Sequence, residues 1–398
     1  MIEIYSKALQ EKITIDRLIG RIETGRIGPT LVFFAGIHGN EVAGVFALKK
    51  VFEDLENQKE KLRGTVIGIS GNLKALAVNT RYLKEDLNRL WTKSNIKRIV
   101  KNDKPGPEEE ELVAILQLVE EILEKGNGPF YFIDLHTTSS KTLPFITIND
   151  ALINRKFSEL FPVPIVLGIE EFLDGPLLSF INQAGYVAIG FESGQHDEKE
   201  AISNNIAFVY LCLVYARLIK KKSLDHYQEY YNELEQASKK VKEIFEITYL
   251  YQIMKGEEFK MLPGFESFQV IKKETPLAIS NGEVVKSKYA SRLFMPLYQS
   301  QGSDGFFIIR GIPKFALKLS SLLRKTKADN FLTLLPGIQW DNREKEILRV
   351  NLKIARFFTG PLFHLLGYRI RVVDENYLRL YNREHAVKTE MYRGEKWY

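Results

Sequence analysis

The chain has 398 residues, of which 45% are hydrophobic and 27% charged, with a formal net charge of +6; this is the composition of an ordinary globular protein, and the length allows two domains or one large domain with additions. Its one cysteine, Cys212, excludes an intramolecular disulfide and a cysteine-built zinc cluster, and it fits a reducing, cytoplasmic setting. The first residues, "MIEIYSKALQEK", contain acids and no apolar run, so no secretory signal is expected.

From Thr30 to about Lys222 short apolar runs alternate with amphipathic ones. "TLVFFAG" reads as a strand, and "NEVAGVFALKKVFEDLE" as a helix with apolar residues at Val42, Val45, Phe46, Leu48 and Phe52. "GTVIGISG" is the next strand. "PEEEELVAILQLVEEILEKG" opens on Pro107 and four acids and closes on Gly126, the start and stop signals of a helix. "PFYFIDL" and "YVAIGFE" are continuous apolar strands of the kind buried on both faces of a sheet. "IAFVYLCLVYARLI", Ile206 to Ile219, has 14 residues including Arg217, whereas a membrane span needs roughly 20 apolar ones; it is expected to be a buried helix. The fold class is therefore α/β, with a mixed, largely parallel central sheet flanked by helices.

After "KKKSLDHYQEYYNELEQASKKVKEIF", expected as a long amphipathic helix, the style changes. "FEITYLYQI", "FQVIKK", "PLAIS", "EVVKS", "RLFMPLY" and "GFFIIR" are short β-like runs that predict a small β domain over about 245–312, with a hairpin turn at Asn281-Gly282. Beyond Pro313, "FALKLSSLLRKTK" is helix-like and "YRIRVVD" and "YLRLYNR" strand-like. Residues 313–398 carry a net charge of +8 and residues 1–312 one of −2. The basic residues of the tail alternate with Leu, Phe, Ile and Tyr, so a solvated face on a packed segment is expected rather than a nucleic-acid-binding arm.

Chemistry gathers where strands end. In "GIHGNE" (Gly36 to Glu41), His38 and Glu41 follow the first strand; imidazole and carboxylate both bind zinc, so this pair can supply two of three ligands of an open catalytic site. His136, in "DLHTTSS", is the candidate third ligand, because segments ending on one edge of an open α/β sheet converge there. Asp134 faces the same side as His136 and either orients its imidazole or bonds to nearby backbone, two readings of equal weight. Glu192, closing "AIGFE", is placed to act as a general base. "NTRYLKEDLNRLW" supplies positive charge: Arg81 for an oxyanion, and Asn88 with Arg89 for a substrate carboxylate. His196 is a rim residue; His226, His364 and His385 read as surface or packing residues.

Taken together and in this order, "GIHGNE", "TRYLKEDLNR", "DLHTT" and "GFES" resemble the succinylglutamate desuccinylase and aspartoacylase family, which has a zinc carboxypeptidase-like fold. The small β domain is similar to that family's C-terminal domain. The resemblance implies His38, Glu41 and His136 as metal ligands for one zinc ion per chain, Glu192 as the base that activates a zinc-bound water, Arg81 as the carbonyl-polarising arginine, and Asn88 and Arg89 as substrate contacts. Two departures bear on substrate. The position of aspartoacylase's further arginine falls on Asn182, and that of its β-domain tyrosine on Met295, with Tyr298 close by. N-acetylaspartate is therefore not expected as the substrate.

These readings divide the chain into a zinc hydrolase catalytic domain (1–225), a linker helix with a small β domain (226–312) and a basic mixed tail of unknown role (313–398). The expected activity is that of a zinc-dependent amidohydrolase deacylating an N-acyl amino acid that carries a carboxylate. A carboxypeptidase-type peptidase, or a non-catalytic zinc-containing protein acting through its tail, are the alternatives. Neither a nucleic-acid partner nor a membrane span is expected, and a homo-oligomer is compatible with the sequence.

Overall fold

The structure is a computed structural model that describes the chain except residues 327, 342–345, 356–359 and 373–375. Four apolar runs build its centre: strands Thr65–Ser70, Thr30–Ala35, Phe130–Thr138 and Val187–Gln195 lie side by side in that order, all parallel. Alternation along Thr30–Ala35 decides what packs on each face. Leu31 and Phe33 enter one core with the helices Ala43–Glu56 and Lys199–Tyr215, while Val32 and Phe34 enter the other with helix Pro107–Lys125. Both faces are thereby dry, which is why these strands are apolar throughout. The Lys199–Tyr215 helix is buried from Ala207 to Val214, and no described helix is long and apolar enough to cross a membrane.

Beyond Val187–Gln195 the sheet continues rather than stops. Phe145–Ile148 pairs antiparallel with it, Ile165–Leu167 follows, and Ile244–Gln252 joins Ile165–Leu167 in parallel. Asp304–Gly311, Ser291–Phe294 and Val270–Ile271 complete that side, and Leu18–Glu23 flanks Thr65–Ser70 on the other, so among the described residues one sheet has eleven strands. The β-like runs after residue 245 thus extend the central sheet as well as forming a small three-stranded one around the Asn281-Gly282 turn, where both residues have positive φ (48° and 83°). The long helix expected before them is shorter than its pattern suggested. It spans Tyr227–Ala237 and ends where Lys239 and Lys240 turn left-handed (φ 51° and 60°), freeing the chain to enter the sheet at Ile244.

The tail has helix Lys314–Lys325 and a four-stranded antiparallel sheet in the order Ile338–Trp340, Ile347–Asn351, Tyr377–Asn382, Tyr368–Val372, over a core that includes Leu348, Tyr368 and Leu380. Lys327 and Asp374, at the ends of two of the runs quoted above, lie outside the described residues. Lys314, Lys318 and Lys325 are exposed, as a solvated face requires, but two arginines depart from that expectation. The Arg324 side chain is fully buried, 2.6 Å from Asp150 and 3.1 Å from Glu384, and the Arg383 side chain, 7% exposed, lies against Glu170 at 2.8 Å and against Glu171. Asp150, Glu170 and Glu171, all before the small β segment, draw these charges inward. The last residues return to the centre: the Tyr392 hydroxyl donates to Phe130 O (2.5 Å) and accepts from Val187 N (2.9 Å), and Trp397 packs on Tyr131 and Phe157.

Candidate active site

The four parallel strands end at one edge, and the residues that follow them meet there. Gly36 leaves strand Thr30–Ala35 with φ +72°, a conformation an L side chain rarely takes. Two residues on from His38's neighbour Ile37, Gly39 lies so close to the Ala75 backbone that a Cβ would come within 2.2 Å of it. The two glycines let the turn fold tightly over the sheet, which presents His38 and Glu41 to its edge.

Glu41 is the hub. Its Oε1 is 2.8 Å from His38 Nδ1 and its Oε2 is 2.9 Å from His136 Nδ1 and accepts from Thr137 N at 3.0 Å. One donor atom from each of His38, Glu41 and His136 lies within 4.8 Å of the others, and all three residues are buried, so this group can hold a metal ion. The remaining ring nitrogens face carboxylates: His38 Nε2 is 3.1 Å from Asp86 and His136 Nε2 is 2.8 Å from Asp134. Asp134 Oδ2 lies at this distance from the ring, but neither Asp134 oxygen makes a hydrogen bond, to the imidazole or to backbone, so its two readings stay level. Burial pushes the Glu41 carboxyl up, but the adjacent imidazoles of His38 and His136 outweigh it and hold the group well below the usual carboxylate range.

Glu192 stands directly across the strand pair from His136. It is 8% exposed, and its Oε2 is buried with no hydrogen-bond partner. Burial, reinforced by the Glu41 carboxylate and opposed by His136, pushes its pKa up to about 7. Arg81 reaches over the same edge, 3.2 Å from Asp86 and 3.5 Å from Glu41. Asn88 and Arg89 line the cavity too, but both are engaged. Asn88 Oδ1 accepts from Leu177 N at 2.9 Å, and Arg89 Nη2 is 2.5 Å from Asp304 Oδ2.

Of the other residues singled out in the sequence, Asn182 bonds to Asn154 and to Tyr186 O and belongs to a neighbouring groove, not to this cavity. Met295 lines the cavity, whereas the Tyr298 hydroxyl is tied to Leu262 O and Phe265 N. His196 is not itself part of the cavity lining; it stands 2.7 Å from Thr137 Oγ1 and 3.2 Å from Gln299, which are. Sequence reasoning missed Asp86 and Asp304. Asp86 stands inside a quoted motif, two residues before Asn88, and its acidity beside a candidate ligand set was a usable signal; Asp304 offered none.

The profile described as "Succinylglutamate desuccinylase/Aspartoacylase catalytic domain" matches residues 27–206, the segment that carries every candidate site residue up to Glu192. This segment belongs to that family. A probable aspartoacylase of Acaryochloris marina is 33% identical over 121 residues, covering 30% of this chain and 39% of the relative. A succinylglutamate desuccinylase of Photorhabdus laumondii is 35% identical over 108 residues, covering 27% and 33%. The chain thus aligns with between a third and two fifths of these relatives' length. Among solved structures, the succinylglutamate desuccinylase from Chromobacterium violaceum superposes with a TM-score of 0.53 at 15% identity, over 74% of this chain and 88% of that one. The ectoine utilization protein EutE (DoeB) from Ruegeria pomeroyi, with product bound, gives 0.53 at 16% over the same shares. These likenesses extend the desuccinylase/aspartoacylase fold beyond the catalytic segment.

Proposed function

We propose that this chain is a zinc-dependent amidohydrolase that deacylates a small N-acyl amino acid, working in the cytoplasm. The observation that carries the reading is the meeting of His38, Glu41 and His136 at one sheet edge with a buried, unpartnered carboxyl, Glu192, on the adjacent strand. Two imidazoles and one carboxylate fit a catalytic zinc that keeps a position open, and Asp86 and Asp134 at the far ring nitrogens fit the outer partners such ligands use. Bound there, zinc would supply Lewis-acid polarisation of a carbonyl and a lowered pKa for water.

The remaining work falls to the side chains. Glu192, held near neutrality, accepts the proton of the attacking water and returns it to the leaving amine; a group with pKa near the working pH serves both steps. Arg81, fixed by Asp86, donates to the oxygen on which negative charge develops. Asn88 and Arg89 hold the substrate's carboxylate. The names of the curated relatives, an aspartoacylase and a succinylglutamate desuccinylase, agree with amide deacylation.

The test uses the full chain, loaded with zinc and separately stripped by a chelator. Free amino acid should be released from N-acyl amino acids by the loaded protein alone. C-terminal trimming of peptides in its place would transfer the site to a peptidase, and cleavage of neither would overturn the reading.

A further inference from the structure

The cavity contains a charge balance that the family resemblance does not anticipate. Among the described residues lining it, the permanent cations are Arg81 and Arg89, and each already faces a carboxylate. For Arg81 the partners are Asp86 and Glu41, inside the catalytic edge. For Arg89 the partner is Asp304, which arrives on a different part of the sheet, at the start of strand Asp304–Gly311. Their side chains are only 25% and 17% exposed, so water screens the 2.5 Å pair weakly. Arg89 keeps N–H groups for one incoming carboxylate, but a second carboxylate there meets Asp304 with no cation to offset it.

Part of the cavity's lining is an apolar wall. Ile169, Leu173, Pro176 and Leu178 form this wall. Gly190 brings the wall close to the chemistry: it lies two residues before Glu192 on the same strand, hence on the same face. A Cβ on Gly190 would stand 2.5 Å from Thr147 Oγ1 and 3.1 Å from Leu178 Cδ1. Asn182, the position where a second charge-binding group was sought, is turned into a neighbouring groove. An acyl chain ending in a carboxylate would find, among the described lining residues, no permanent cation beyond the already paired Arg81 and Arg89, and an unpaired buried charge is among the costliest groups a site can accept.

We infer that Asp304 sets the charge preference of this site, and that its substrates are amides with an uncharged, apolar acyl group and a single carboxylate on the amine half. This rests on the amidohydrolase reading above and narrows it away from dicarboxylate acyl groups such as succinyl.

The test measures kcat/KM of the zinc-loaded full chain for N-hexanoyl-alanine, N-hexanoyl-aspartate and N-succinyl-alanine, with metal content determined on the same samples. Hexanoyl-alanine should exceed each of the others by about tenfold or more. In Asp304→Asn the alanine-to-aspartate ratio should fall by about tenfold, through KM, whereas Asp304→Glu should keep it. Inhibition of the unaltered protein by hexanoate and by succinate gives an independent reading, with hexanoate expected to bind more tightly. A preference for hexanoyl-aspartate or succinyl-alanine in the unaltered protein, or a ratio unmoved in metal-replete Asp304→Asn, overturns this inference and leaves the amidohydrolase reading standing. Cleavage of none of the three overturns both.

Discussion

Glu192→Gln keeps the size of the side chain and removes its ability to carry a proton. That variant should bind zinc at the parental stoichiometry and lose roughly 10²–10⁴-fold in kcat, read from metal analysis and turnover on one preparation. Asp86→Asn and Asp134→Asn should do the reverse. Each leaves Glu192 in place but weakens the hold on a ligating imidazole, so zinc affinity should drop about 10–100-fold in a chelator competition. These residues differed in how visible they were before folding. His38, His136 and Glu192 each follow or end an apolar run, and the ends of parallel neighbours share an edge, so their meeting was readable. Asp304 approaches Arg89 from 215 positions away along a strand that carries no chemical signature, and no local pattern could have paired them.

At the scale of elements, the four central strands and the helices between them follow directly from runs of buried apolar residues. The joining of the later β segment to the same sheet does not, because it depends on three-residue strand Ile165–Leu167, too short to announce itself, bridging two halves. Nor could a basic composition reveal that helix Lys314–Lys325 aims Arg324 at Asp150. Arg324→Met should cost about 3–5 kcal/mol in urea unfolding, since Asp150 and Glu384 would lose a buried partner. The same cluster predicts an acid sensitivity. Burial pushes the Asp150 carboxyl up, but Arg155, Arg324 and Arg383 hold it below its ordinary value. Its stabilising contribution is therefore fully present above the unfolded pKa of about 3.9 and is lost as pH falls through that value toward the folded one. Urea midpoints should fall more steeply between about pH 5 and about pH 3 in the parent than in Arg324→Met.

For the molecule as a whole, the segment from Thr389 to Tyr398 matters more than its position suggests. The Tyr392 hydroxyl completes the hydrogen bonding of Phe130 and Val187, the first residues of the two strands that carry His136 and Glu192. Tyr392→Phe should cost about 1–3 kcal/mol, because it leaves a buried N–H and a buried carbonyl unmet, and differential unfolding against the parent would measure it. Synthesis on the ribosome adds a temporal side to this contact. A nascent chain that has already exposed both of these strands still lacks the hydroxyl that closes their starting ends and the indole of Trp397 that covers Tyr131 and Phe157. The starting ends of the strands that carry His136 and Glu192 are therefore closed only once synthesis has passed Tyr392 and Trp397, long after those two residues themselves have been made.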